Sequence, residues 1–174
     1  RAKAPDIQEF LVLPVRVGSF SEAAKTNVLV HRRVGDSLVK KDPTFTGGKT
    51  DEGAWAPSLK SEDALEIVVK ASDEVSEEAG VQCRVGLDMA SSSLWDPTEK
   101  CYVYTRDDVK LDSGEQLDFV LGLVQKYNLG YVEDPFHEED FTSFAELTRK
   151  VKNCLVCGDD LFVTNKKRLA KGIK

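Results

Sequence analysis

Short apolar runs alternate along the chain with segments whose apolar positions recur every three or four residues, which is the pattern of strands followed by amphipathic helices. Strand-like runs fall at residues 7–13, 84–89, 129–132 and 154–157, and a fifth, dominated by glycine and charge, lies around 51–55. Helical spacing follows Ser61, where Leu65, Val68, Val69 and Val75 share a face that Gly80 terminates. It recurs after Ser113 (Leu117, Val120, Leu121, Val124) and after Asp140 (Phe144, Leu147, Val151), and a last helix begins near Asn165. Ser19-Phe-Ser-Glu22 and Ser113-Gly-Glu-Gln116 both fit the capping box, in which a hydroxyl and an acid or amide three residues on satisfy orphan backbone donors. The alternation predicts an α/β fold of βα units around a parallel sheet, and no repeat or low-complexity linker divides it.

Charge and cysteine content narrow the function classes. The 24 basic and 30 acidic residues give a net charge of −6 without a long Lys/Arg cluster, so neither nucleic acid nor an anionic membrane is an expected partner. No apolar run approaches the roughly 18 residues of a membrane span, no hydrophobic signal region opens the chain, and a cytoplasmic address is expected. Four cysteines in three places lack the density of a disulfide-stapled domain and are expected to be reduced. Cys154 and Cys157 spell CxxC, but three residues apart on a strand they point to opposite faces, which favours a structural role over metal or redox chemistry. The chain opens on Arg1 and closes on Lys171-Gly-Ile-Lys174 in a basic helical pattern, so both ends read as cuts within something longer.

The chemistry lies at the ends of three of the strands. Val85-Gly-Leu-Asp88, Tyr131-Val-Glu133 and Leu155-Val-Cys-Gly-Asp159 each end an apolar run in an acid. In a parallel α/β barrel the C-terminal strand ends converge on one rim, where active sites of such barrels sit. Carboxylates brought together there repel unless protons or a cation compensate, and an oxygen-only cluster suits a hard ion such as Mg²⁺. Any one of these acids alone reads better as a helix N-cap, whereas three at successive strand ends favour a metal site. In the adjacent pairs Glu133-Asp134 and Asp159-Asp160 at most one member of each faces a common ion, and alternation alone does not choose between them. Glu9 and Glu52 also lie on or beside strand-like runs and are further candidates for the same rim.

Taken in order, Ile7-Gln-Glu-Phe10, Asp51-Glu-Gly-Ala-Trp-Ala-Pro57, Val85-Gly-Leu-Asp-Met-Ala90, Ser113-Gly-Glu-Gln-Leu117, Val132-Glu-Asp-Pro-Phe136 and Gly158-Asp-Asp-Leu-Phe-Val-Thr-Asn165 resemble the enolases nearly end to end, archaeal ones in the Ala54-Trp55 pair. The resemblance implies a partial enolase-type TIM barrel, a modified (β/α)₈ with about five of its eight strands present. Residues 1–174 would be an incomplete C-terminal catalytic domain, without the N-terminal capping domain and the last barrel strands, inactive and poorly stable alone. It implies Mg²⁺-dependent interconversion of 2-phosphoglycerate and phosphoenolpyruvate, in a parent that is a homo-oligomer.

By position, Asp88, Glu133 and Asp159 correspond to metal ligands, Glu52 to the acid that assists departure of the hydroxyl, and Glu9 to a substrate-site carboxylate. Glu9, Glu133 and Asp159 would also contact substrate. The family's lysine base and its substrate-contacting histidine fall on stretches beyond either end. Lys171 and Lys174 read as solvated helix ends, and His31 and His137 as exposed or capping histidines. Thr50 stands where the family usually has glycine. The alternative from another class is a non-catalytic binding or structural protein derived from an enolase.

Overall fold

The computed structural model describes residues 4–173; Arg1 and Lys174, which figure in the reading of the chain ends, lie outside the described residues. Strand β1 (Glu9–Val15) leads into two consecutive helices, α1 (Phe20–Lys41) and α2 (Ser61–Ala79), before strand β2 (Gln82–Asp88). Two antiparallel helices between two strands return the chain in the reverse sense, so β1 and β2 pair antiparallel, from Glu9 opposite Asp88 to Val15 opposite Gln82. The expectation of a uniformly parallel sheet is therefore corrected at its first strand.

From β2 onward single crossover helices give parallel neighbours. Strand β6 (Tyr131–Glu133) pairs parallel with β2, and β7 (Leu155–Cys157) pairs parallel with β6, for a sheet in the order β1-β2-β6-β7. Among the described residues this sheet has four strands and does not close into a barrel.

The expected strand at 51–55 is a loop. The amide of Thr50 donates to the carbonyl of Ala54 at 2.8 Å, the amide of Gly53 donates to the carbonyl of Thr50 at 3.0 Å, and Gly53 takes φ +84°. A left-handed residue inside so tight a turn prevents extended pairing, and only a single bridge between Lys49 and Trp55 remains. Trp55 anchors this loop to α1. Its indole N–H donates to the carbonyl of His31 at 2.8 Å, its ring stacks on the His31 ring with centroids 4.7 Å apart, and Lys49 Nζ lies 4.2 Å over it.

Gly35 gives the indole its place, because an added methyl would lie 2.8 Å from Trp55 Cζ2. Gly35→Ala should gain about 1 kcal/mol of helix propensity but lose about 1–3 kcal/mol to overpacking. The expected net result is a loss of stability, read as a lower urea midpoint.

Between β2 and β6 the chain inserts a small antiparallel meander absent from the sequence expectation: β3 (Trp95–Asp96), β4 (Cys101–Tyr104) and β5 (Val109–Leu111). It is tied to the main sheet through a buried amide. Tyr104 Oη donates to Gln116 Oε1 at 3.0 Å, and Gln116 Nε2 donates to the carbonyl of Pro135, just past β6, at 2.8 Å.

Gln116 sits in α3 (Ser113–Lys126), whose N-cap is Asp112 rather than Ser113. The aspartate accepts from Gly114 and Glu115 while the Glu115 carboxylate accepts from the Asp112 amide, so the capping box exists one residue earlier than its sequence signature placed it. At α1 Ser19 caps as expected, but Glu22 accepts from the Gly18 amide, which leaves the box incomplete. Helices α4 (Phe141–Lys150), the single turn α5 (Asp159–Phe162) and α6 (Lys166–Gly172) complete the chain; Asp140 caps α4 and Asn165 caps α6.

The core lies between one face of the sheet and the helices: Val85, Leu87 and Val132 pack with Val30, Leu38, Leu65, Val68, Val75, Leu117, Val120 and Leu147. Lys171 is exposed, with its ammonium 3.8 Å over the Phe141 ring. No helix among the described residues is long and apolar enough to cross a membrane.

Candidate metal and acid-base site

The register of the sheet assembles the site. Glu9 lies opposite Asp88, and Asp88 opposite Glu133, so three carboxylates from three adjacent strands form one row on the sheet face away from the helices. Residues directly opposite in paired strands project to the same side. Leu87 and Val132, one position back, point into the core and fix which face the acids take.

Asp88, Glu133 and Asp134 each offer an oxygen within 4.8 Å of the others. Gln8 Nε2 donates to Asp88 Oδ2 and the Ala90 amide to Asp88 Oδ1, both at 3.1 Å. Tyr131 Oη donates to Glu133 Oε2 at 2.7 Å. Backbone bonds lock the strand ends together: Met89 N to Glu133 O at 2.9 Å, Ser91 N to Asp134 O at 3.0 Å, and Asp134 N to Cys157 O at 3.1 Å.

Asp134 differs from its two neighbours. It is buried at φ +41°, and its carboxylate accepts from the amides of Asp160 at 2.8 Å and Leu161 at 3.4 Å, at the start of α5. It works as an N-terminal cap of that turn with both oxygens engaged. Asp159 is exposed at the head of α5 and falls outside the group within 4.8 Å, while the charge of Asp160 is among those acting on Asp88.

Glu52 stands on the exposed loop anchored by Trp55, and His31 Nε2 meets the carbonyl of the next residue, Gly53, at 3.1 Å. Glu52 is the neighbour that acts most strongly on the Glu9 carboxyl, which puts the loop acid beside the end of the carboxylate row. His31 and His137 are held by other partners. The first is stacked on Trp55; the second accepts from the Glu139 amide at 3.3 Å and lies beside Trp95.

Crowded acids that are partly desolvated hold their protons more tightly. Glu52, then burial, then the charges of Asp88 and Glu133 push Glu9 up to about 7. Burial, then Glu133, raises Asp88, and burial pushes Asp134 up to about 6. Groups with raised folded-state values retain protons that the unfolded chain has released. Their contribution to stability is thus fully present below about pH 4 and is lost as pH rises through about 6 and 7.

A bound cation would displace those protons and reverse the penalty. The rise in melting temperature produced by Mg²⁺ over a chelator control is accordingly expected to grow between pH 5 and pH 7.5. A rise independent of pH would mean that these acids do not meet the ion. The donor set fits a hard divalent cation, because it consists of carboxylate oxygens from rigid strand ends with no sulfur or imidazole among them.

Fold and site together define an α/β domain whose strand ends gather a cluster of acids that could hold a cation. Residues 2–174 match the family model described as the enolase C-terminal TIM barrel domain. The chain is 54% identical over 172 residues to the enolase of Methanosphaera stadtmanae, covering 98% of this chain and 42% of that protein. It is 51% identical over 174 residues to the enolase of Pyrobaculum aerophilum, covering 100% and 41%. The chain belongs to the enolase family. It spans about two fifths of the length of these relatives.

Two residues that hold the carboxylates, Gln8 and Tyr131, were not singled out from sequence. A positional signal existed for Tyr131, two residues before Glu133 on a strand and so on the same face. None existed for the capping role of Asp134, which depends on a left-handed backbone at a non-glycine residue.

Proposed function

We propose that the protein is a phosphopyruvate hydratase, a hydro-lyase of glycolysis and gluconeogenesis, which removes water from 2-phosphoglycerate to give phosphoenolpyruvate and catalyses the reverse. The observation that carries this reading is the register row Glu9, Asp88, Glu133, with Glu52 beside its end. Asp88, Glu133 and Asp159 are the proposed ligands of Mg²⁺. Asp134 is passed over because its carboxylate already caps α5. When bound, the ion supplies positive charge where the substrate becomes most anionic as its C2 proton is lost.

The chain's own acids do the proton work at C3. The carboxyl of Glu9, with Glu52 beside it, keeps a proton up to about pH 7 that it can pass to Glu52. Glu52, on the exposed loop, delivers it to the departing hydroxyl so that water leaves. Glu9, fixed in β1, holds Glu52 in position and contacts substrate. Glu133 and Asp159 are further proposed to contact substrate. No side chain among the described residues is assigned as the base that takes the C2 proton. The whole protein is further proposed to be a cytoplasmic homo-oligomer, which rests on the family alone.

The test is turnover by the protein at its natural length. With 2-phosphoglycerate and Mg²⁺, the ultraviolet absorbance of the enol product is expected to rise, to stop on addition of a chelator, and to resume with excess Mg²⁺. No rise under these conditions would count against a hydratase and favour a non-catalytic role.

A further inference from the structure

The geometry points to Tyr131 as a positioning residue that sets the orientation of Glu133 toward the metal, an inference that rests on the proposed role of Glu133 as a ligand. Tyr131 and Glu133 are two residues apart on β6 and project to the same face. The phenol donates to Oε2 at 2.7 Å, and Asp88 is the direct neighbour of Glu133 across the β2–β6 register. Asp88 has its own holders in Gln8 and the Ala90 amide. The corresponding duty at Glu133 falls to Tyr131.

The fold makes specific room for this ring. Gly86 is the direct partner of Tyr131 in the β2–β6 register. A methyl at Gly86 would lie 2.9 Å from Tyr131 Cβ, 3.1 Å from the Tyr131 carbonyl oxygen and 3.1 Å from Leu13 Cδ1. Any side chain there would push Tyr131 off its place on the site face.

Cys157 lies directly opposite Glu133 on the next strand. A ligand carboxylate held on its second oxygen is a recurrent device of metal sites, and its loss typically costs 10- to 100-fold in affinity.

The experiment compares Mg²⁺ and Ca²⁺ binding by calorimetry in the wild-type protein at its natural length and in Tyr131→Phe, Gly86→Ala and Glu133→Gln. Tyr131→Phe keeps the ring and removes only the hydroxyl. It is expected to weaken Mg²⁺ about 10-fold or more and Ca²⁺ less, because Mg²⁺ demands stricter geometry. Its urea midpoint in chelator should match wild type. Gly86→Ala should lower the Mg²⁺-to-Ca²⁺ affinity ratio in the same direction.

Wild-type Mg²⁺ affinity in Glu133→Gln would overturn the ligand assignment itself. Loss of binding in Glu133→Gln with wild-type affinity and an unchanged ion ratio in Tyr131→Phe would overturn the role of Tyr131 and leave the site standing. A Tyr131→Phe protein weakened equally for both ions, with its chelator midpoint lowered as well, would mark a packing role and also overturn it.

Discussion

Asp88→Asn is expected to reverse the effect of the metal on stability: the chelated protein unfolds at a temperature equal to or above that of wild type, while Mg²⁺ no longer raises it. The first half rests on the cost of the charge. Asp88 is half-buried beside Glu133, and both burial and that neighbour disfavour its ionised form. An amide keeps an oxygen for the Ala90 amide and removes the repulsion, and Gln8 can turn its own amide so that its oxygen accepts from the new NH2. The second half rests on its position in the row between Glu9 and Glu133, where its loss leaves a site without its central charge. A ligand at 100 times its dissociation constant stabilises a protein by about 2.7 kcal/mol, and the whole of that increment should vanish. Thermal unfolding with Mg²⁺ and with chelator measures both halves. A variant that is destabilised in chelator and still stabilised by Mg²⁺ would show Asp88 to be a structural acid.

Glu52→Gln is expected to separate catalysis from metal binding. Turnover of 2-phosphoglycerate should fall about 10²- to 10⁴-fold, the range supplied by a positioned general acid. Affinity for Mg²⁺ should stay near wild type, because Glu52 reaches the row only through Glu9. Glu52 is exposed on its loop, so stability should change by no more than about 0.5 kcal/mol. Glu52 is the largest influence holding the Glu9 proton, and burial and the nearby negative charges act beside it. Glu9 should therefore titrate below about 7 in the variant, which a carboxyl-resolved NMR titration would register.

The parts of the fold visible in the chain were those with a local physical signal. Helices α2, α3 and α4 announced themselves through apolar spacing, and Gly80 ended α2 in the left-handed conformation expected of it. Asp88 and Glu133 were legible because a strand ending in an acid is a local pattern, and the parallel β2–β6 register then set them side by side.

The direction of β1 was not legible, since the glycine-rich segment around 51–55 imitated a strand and concealed two successive helices. The meander β3 to β5 was missed because its strands are two to four residues long and lie among charges. The run Cys101-Tyr-Val-Tyr104, bounded by Asp96-Pro97 and Arg106-Asp-Asp108, carried the available signal. The cap of α3 was displaced by one residue because Asp112 and Ser113 are both good caps, and only geometry shows which side chain faces the free amides.

Which acid of each adjacent pair meets the ion is the point on which the assignment of the metal site turns. Asp134 is close enough to Asp88 and Glu133 to be a ligand, yet its oxygens are engaged with the amides of Asp160 and Leu161. Asp159, assigned by family position, stands outside that trio. An anomalous difference map from crystals of the protein at its natural length, grown with Mn²⁺ in place of Mg²⁺, decides it. The predicted result is one strong peak about 2.1 Å from oxygens of Asp88, Glu133 and Asp159, with Asp134 still bonded to the α5 amides. A peak bound by Asp134 instead of Asp159, or one remote from Asp88 and Glu133, would contradict the assignment.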